Sequence, residues 1–152
     1  MKIFIKLLLS AYFSLFLFTS YLHAKPPSKN VIHEPISAEV TYIIDGDTFS
    51  GKVLLKDNIQ IPVRVRFMNI DAPELHGECE SEIIWANKSR DRLGELIPVG
   101  SSVILTGVKD DKYIGRIDAY VLDESGRDIG EIMIRENMAR RYGGGKRAGW
   151  CD

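Results

Sequence analysis

The chain has 152 residues, with 20 basic and 21 acidic side chains and a formal net charge of -1. That length suits one compact domain and leaves little room for two. The near-neutral balance excludes a grip on polyanions by a general positive field, so any hold on nucleic acid must come from local clusters: Arg64/Arg66, Lys109/Lys112/Arg116 and Arg140/Arg141/Lys146/Arg147. Taken alone, the last of these reads as a solvated surface.

At the start, Lys2 and Lys6 stand ahead of an apolar core from Leu7 to about Phe18, followed by Leu22-His23-Ala24. This is the layout of a secretory signal with a small residue at the cut point. The apolar core is shorter than the ~20 residues that a membrane anchor needs. Residues 1–24 are therefore expected to be removed, and the mature protein to be exported, periplasmic or secreted, without stable membrane association and as a monomer. Residues 25–37, with three prolines among Ser and Asn, read as a flexible tether ahead of a domain at 38–152.

Strand-like runs come first. Ala38 to Ile44 is rich in Val, Thr, Tyr and Ile, Thr48 to Leu55 follows an Asp-Gly-Asp turn, and Ile59 to Ile70 alternates. In the third run Val63, Val65 and Phe67 share one face, and Arg64, Arg66 and Met68 the other. Between Ser81 and Ile97 the period becomes helical, with Ile83, Ile84, Ala86, Leu93, Leu96 and Ile97 near one stripe, Ser81 as N-cap and Pro98 with Gly100 as the stop. Two more strands, Ser102 to Val108 and Ile114 to Leu122, precede a second helix from Asp128 to Ala139, capped by Asp128. The reading is an α+β, mainly β fold: a five-stranded OB-fold barrel with two packed helices, although the pattern alone also fits other α+β folds.

Two acidic turns stand out against this background. Asp45-Gly46-Asp47 is by itself an ordinary hairpin turn, and Asp71-Ala72-Pro73-Glu74 is by itself an ordinary Pro-containing turn. Asp45-Gly46-Asp47 does not open an EF-hand calcium loop, because Phe49 and Lys56 fall where that loop needs an acid. Together, and with Arg66 five residues before Asp71, they have a physical reason in a metal site: clustered carboxylates need a cation, and hard cations such as Ca2+ take carboxylate and carbonyl oxygens.

At this point the chain resembles the staphylococcal (micrococcal, thermonuclease-like) nuclease family. The matching pieces, in order, are Ile44 to Thr48, Arg66 through Ile70-Asp71-Ala72-Pro73-Glu74, Gly115-Arg116, and Glu131 to Ala139. The resemblance implies a calcium-dependent phosphodiesterase acting on DNA and/or RNA. Asp47 and Asp71 would ligate Ca2+, Ala72 would offer its backbone carbonyl, and Asp45 would support the site from behind. Glu74 would serve as the general base, and Arg66 and Arg116 would bind the phosphate. Those roles make chemical sense: water attacking a phosphodiester builds charge at phosphorus, and a divalent ion with two guanidinium forks is suited to meet it.

Two departures accompany the resemblance. Ala72 stands where the family usually has Thr, which a backbone ligand tolerates. Ile114 separates Asp111-Lys112-Tyr113 from Gly115, so the contact of Lys112 and Tyr113 with substrate is implied less directly. His76-Gly-Glu-Cys79-Glu80 supplies two of the four N or S ligands of a structural zinc site and reads instead as a loop. Cys79 and Cys151 are the two cysteines, both downstream of the leader, and a disulfide between them is expected in an exported protein. The competing functional class is a non-catalytic barrel that binds single-stranded nucleic acid or another partner. Glu74 weighs against it, since a binder of anionic strands has little use for that charge.

Overall fold

A computed structural model describes residues 31–151. In chain order they form strands β1 (Val31–Ile32), β2 (Ile36–Ile43), β3 (Thr48–Leu54), β4 (Gln60–Phe67) and β5 (Ile70–Asp71), helix α1 (Glu80–Leu96), strands β6 (Ser102–Asp110) and β7 (Arg116–Leu122), helix α2 (Ile129–Arg135) and strand β8 (Arg140–Arg141). The leader and residues 25–30 lie outside the described residues. The described part of the expected tether is not free, because Val31 and Ile32 pair with Lys109 and Val108 of β6, and β2 begins at Ile36.

The alternating runs make antiparallel pairs β2–β3, β3–β4, β2–β6 and β6–β7, and β4 joins β7 in parallel through Arg64↔Arg116 to Phe67↔Ala119. Those five pairings close a five-stranded barrel, which removes the free edges an open sheet would leave. Ala38 and Val40, Phe49, Val65 and Phe67, Val103 and Leu105, and Ala119 and Val121 recur with period two and fill the interior. Phe49 and Phe67 meet edge to face with centroids 6.1 Å apart; burying a side chain of that size contributes roughly 2 kcal/mol.

The structure differs from the sequence-based expectation in four places. The run from Ile59 to Ile70 is two strands, because Asn69 turns the chain in the left-handed region at φ 61°. The second helix stops at Arg135 rather than Ala139, with Asn137 again left-handed at φ 59°; its expected cap holds, Asp128 accepting from the Glu131 backbone N–H at 3.1 Å. Helix α1 is preceded by Cys79 rather than capped by Ser81, and its buried face is Glu82, Ala86, Ser89 and Leu93, continued by Ile97. Ile83 and Ile84 are exposed, because the helix turns two polar side chains inward to hold the site loops. Finally, β7 begins at Arg116, and Ile114 projects into solvent at 99% exposure. Among the described residues no helix is long and apolar enough to cross a membrane.

Candidate active site

The β2–β3 turn sets Asp47 beside β4. Asp45 accepts from the Asp47 N–H at 3.0 Å, which tightens the turn, and the Asp47 carbonyl accepts from Phe67 N at 2.9 Å, which docks it on the strand carrying Arg66. Arg66 Nη1 then lies 2.7 Å from Asp47 Oδ2, which also accepts from Ala72 N at 2.9 Å, while Thr48 donates to Oδ1 at 3.0 Å. Although Arg66 is on the strand face opposite Val65, it is only 8% exposed. Burial pushes the Asp47 carboxyl up to about 6, against the opposing pull of Arg66. Gly46 is required by close approach: a Cβ there would stand 2.5 Å from Ser89 Oγ and 2.8 Å from the Ala72 side chain. Ser89 in turn donates to the Met138 carbonyl, so α1 ties the turn to the segment after α2.

Asp71 sits on β5, which pairs with β8 so that Asp71 faces Arg140. Its carboxylate is 2% exposed and its Oδ2 accepts from Arg140 Nη2 at 3.2 Å and from Trp150 Nε1 at 3.1 Å. Arg147 Nε is 3.1 Å from Asp71 Oδ1, but it is not aimed to donate there; the contact is ionic, and Oδ1 is a buried oxygen with no hydrogen-bond donor. Arg147 Nη1 donates to Glu74 Oε1. Burial works against the charge on Arg147, but the carboxylates of Asp71, Glu74 and Asp47 outweigh it and hold the guanidinium more firmly protonated than usual. The loop that carries Glu74 is fastened by buried Glu82, which accepts from Glu74 N at 3.3 Å and Glu78 N at 2.9 Å.

On β7, Arg116 Nε donates to Asp111 Oδ2 at 2.9 Å and its guanidinium lies 4.5 Å from the Tyr113 ring centroid. Lys112 Nζ stands 4.9 Å from the same ring. Burial tends to raise Asp111, yet the Arg116 hydrogen bond prevails and its carboxyl lies below the usual range. Arg66, Glu74 and Arg116 line one cleft of about 920 Å³, with Lys112, Tyr113 and Arg147. Extrusion of Ile114 is what leaves Lys112 and Tyr113 beside Arg116 despite the extra residue.

The carboxylates fit a hard cation by chemistry: Asp47 and Asp71 are buried oxygen donors, and Asp71 Oδ1 is a buried oxygen that accepts no hydrogen bond. They are not drawn into a tight cluster. Among the described residues the one set of three candidate ligands within 4.8 Å of one another is Cys79, Glu82 and Cys151, and both its sulfurs are spent in a disulfide with Cα atoms 5.9 Å apart. Asp47 and Asp71 face arginines instead.

The family model described as "Staphylococcal nuclease homologue" matches residues 64–148, more than half of the chain. The chain belongs to the staphylococcal nuclease family. Endonuclease YhcR of Bacillus subtilis (strain 168) is 27% identical over 123 residues, which is 77% of this chain and 10% of that protein. An uncharacterized endonuclease of Escherichia coli is 30% identical over 112 residues, 74% of this chain and 65% of the relative, and one of Escherichia coli O157:H7 matches to the same extent. The chain thus spans about a tenth of the first relative and just under two thirds of the others. Within the staphylococcal nuclease match lie Arg66, Asp71, Ala72, Glu74 and Arg116; Asp45 and Asp47 precede it, and Trp150 and Cys151 follow it.

Sequence reasoning missed Glu82, Ser89, Arg140 and Trp150 as parts of this candidate site. Taken alone the terminal basic cluster reads as solvated surface, whereas Arg140 and Arg147 both reach Asp71 and Arg141 pairs with Glu131. The signal that points to the tail is Cys151: a bridge to Cys79, next to α1, brings the tail to the acidic turn.

Proposed function

We propose that this protein is an exported, calcium-dependent nuclease that hydrolyses phosphodiester bonds of DNA and/or RNA by attack of water. The observation that carries the reading is the convergence of Arg66, Glu74 and Arg116 on one cleft, with the buried Asp47 and Asp71 held directly behind Arg66 and Arg147. The endonuclease names of the relatives and the general metal dependence of the family support it. Export is supported by the leader at 1–24 and by a disulfide, which oxidising compartments favour.

Asp47 and Asp71, with the Ala72 carbonyl and with Asp45 behind them, would hold Ca2+, which when bound offsets charge on the phosphate and acidifies water. Glu74, on the exposed rim of the cleft, takes the proton of the attacking water or orients it. Arg66 and Arg116 present planar forks that contact two phosphate oxygens each, and both are pre-set by carboxylates, Asp47 and Asp111. Tyr113 offers a ring, and Lys112 a charge, beside Arg116 for the adjoining nucleotide.

Incubating the purified mature chain with single-stranded DNA and RNA, in calcium or in chelator, tests the reading. Cutting in calcium alone supports it. Binding without cutting would identify a non-catalytic binding module instead.

A further inference from the structure

We propose that Arg147 is a third arginine for the substrate phosphate, installed in the cleft by the disulfide-closed C-terminal tail. The proposal rests on the nuclease reading above and adds a residue to the same site.

Three arginines line the cleft, and each is parked on a carboxylate: Arg66 on Asp47, Arg116 on Asp111, and Arg147 on Asp71 and Glu74. A phosphate group entering the cleft competes for the same forks. Arg147 is the most movable of the three, its side chain 41% exposed against 10% for Arg66 and 23% for Arg116. It follows Gly143-Gly144-Gly145, of which Gly144 and Gly145 take positive φ values that only glycine adopts readily.

What keeps this guanidinium in place is a set of contacts on either side of it. Arg140 donates to the carbonyls of Ala148 and Gly149 and stacks 4.0 Å from the Trp150 ring centroid. Trp150 donates to Asp71, and Cys151 is bonded to Cys79 ahead of α1. When an incoming phosphate displaces Asp71 and Glu74 from the Arg147 fork, the fork turns from the carboxylates to the phosphate oxygens, so the tail contributes a bidentate contact rather than a point charge.

Fluorescence anisotropy of a labelled oligothymidylate in chelator, over a salt series, reads the contact without turnover. Arg147→Ala is expected to weaken binding about tenfold and to lower the slope of log affinity against log salt by ~0.7, the value of one single-strand phosphate contact. Arg147→Lys should recover part of the affinity. Lys56→Ala, at the far end of the β3–β4 hairpin, should match the wild type. The Arg147 Nε–H resonance should move on oligonucleotide addition, a response that a merely structural ion pair would not give. Serine at both cysteines should weaken binding by a similar factor, and adding Arg147→Ala on that background should cost little more. Wild-type affinity in Arg147→Ala, or an Arg147 resonance that stays in place, overturns the proposal and leaves the nuclease reading standing. A wild-type chain that binds no oligonucleotide in chelator and cuts none in calcium overturns both.

Discussion

Arg66 and Asp47 form an ion pair of 2.7 Å in which neither side chain exceeds 10% exposure. Removing one partner of such a pair strands a buried charge, at a typical cost of 3–5 kcal/mol, or ~4 kcal/mol here. Arg66→Ala is therefore expected to lose stability as well as activity, which the sequence alone, treating Arg66 as a purely catalytic side chain, does not anticipate. Arg66→Lys keeps the charge and should fold, but lacks the planar fork. Its turnover should fall about a hundredfold, equivalent to ~3 kcal/mol of transition-state stabilisation. Urea unfolding and single-turnover cleavage separate the two effects; a normally folded lysine variant with full turnover would remove Arg66 from the phosphate.

Arg116 is less enclosed, with its side chain 23% exposed and its partner Asp111 just past the end of β6. Arg116→Lys should leave the melting temperature nearly unchanged while cutting turnover about a hundredfold. Glu74→Gln is its companion: oligonucleotide binding should survive and turnover drop. Unchanged turnover in the glutamine variant would take Glu74 out of proton transfer.

Much of this was legible in the sequence, for identifiable reasons. Period-two runs around Val65 and Phe49 and the cap at Asp128 are local signals, and local physics decided them. The acidic turns and the two arginines stood out through their resemblance, in order, to the staphylococcal nuclease family, and the fold brings Arg66, Glu74 and Arg116 to one cleft. Helix α1 misled because Ile83 and Ile84 look like core, whereas the helix rotates Glu82 and Ser89 inward to satisfy the Glu74 loop and the Met138 carbonyl. The break at Asn69 depends on a pairing across the fold, β5 with β8, that no single segment announces.

The Cys79–Cys151 bridge spans 72 residues. In the chain-entropy account a loop of that length is worth about 4 kcal/mol, an upper figure where the unfolded chain keeps structure. Reduction, or serine at both positions, should lower the unfolding free energy by up to that amount. Thiol alkylation before reduction, followed by mass spectrometry of protein from the exported compartment, should find neither cysteine modified. Two alkylated cysteines in active protein would remove the bridge from the account.

Gly46 sits where the Asp45–Asp47 turn meets α1 too closely for a side chain. Because a methyl group there would meet Ser89 and Ala72 below 3 Å, and both belong to packed segments, Gly46→Ala must push the Asp45–Asp47 turn off α1. A loss of ~1–3 kcal/mol is expected from overpacking, together with weaker calcium binding by calorimetry. An alanine variant with native stability and native calcium affinity would show that the turn is not held as described.

Buried Asp47 and Asp71 are proposed to bind a calcium ion that cleavage requires. The most direct measurement is the initial cleavage rate of labelled single-stranded DNA by chelator-stripped protein as calcium is added back, for the wild type, Asp47→Ala and Asp71→Ala. The account predicts saturable activation of the wild type from a baseline of no cutting, and little or none for either variant at any concentration. Full cleavage in excess chelator, or wild-type activation of Asp71→Ala, would contradict it.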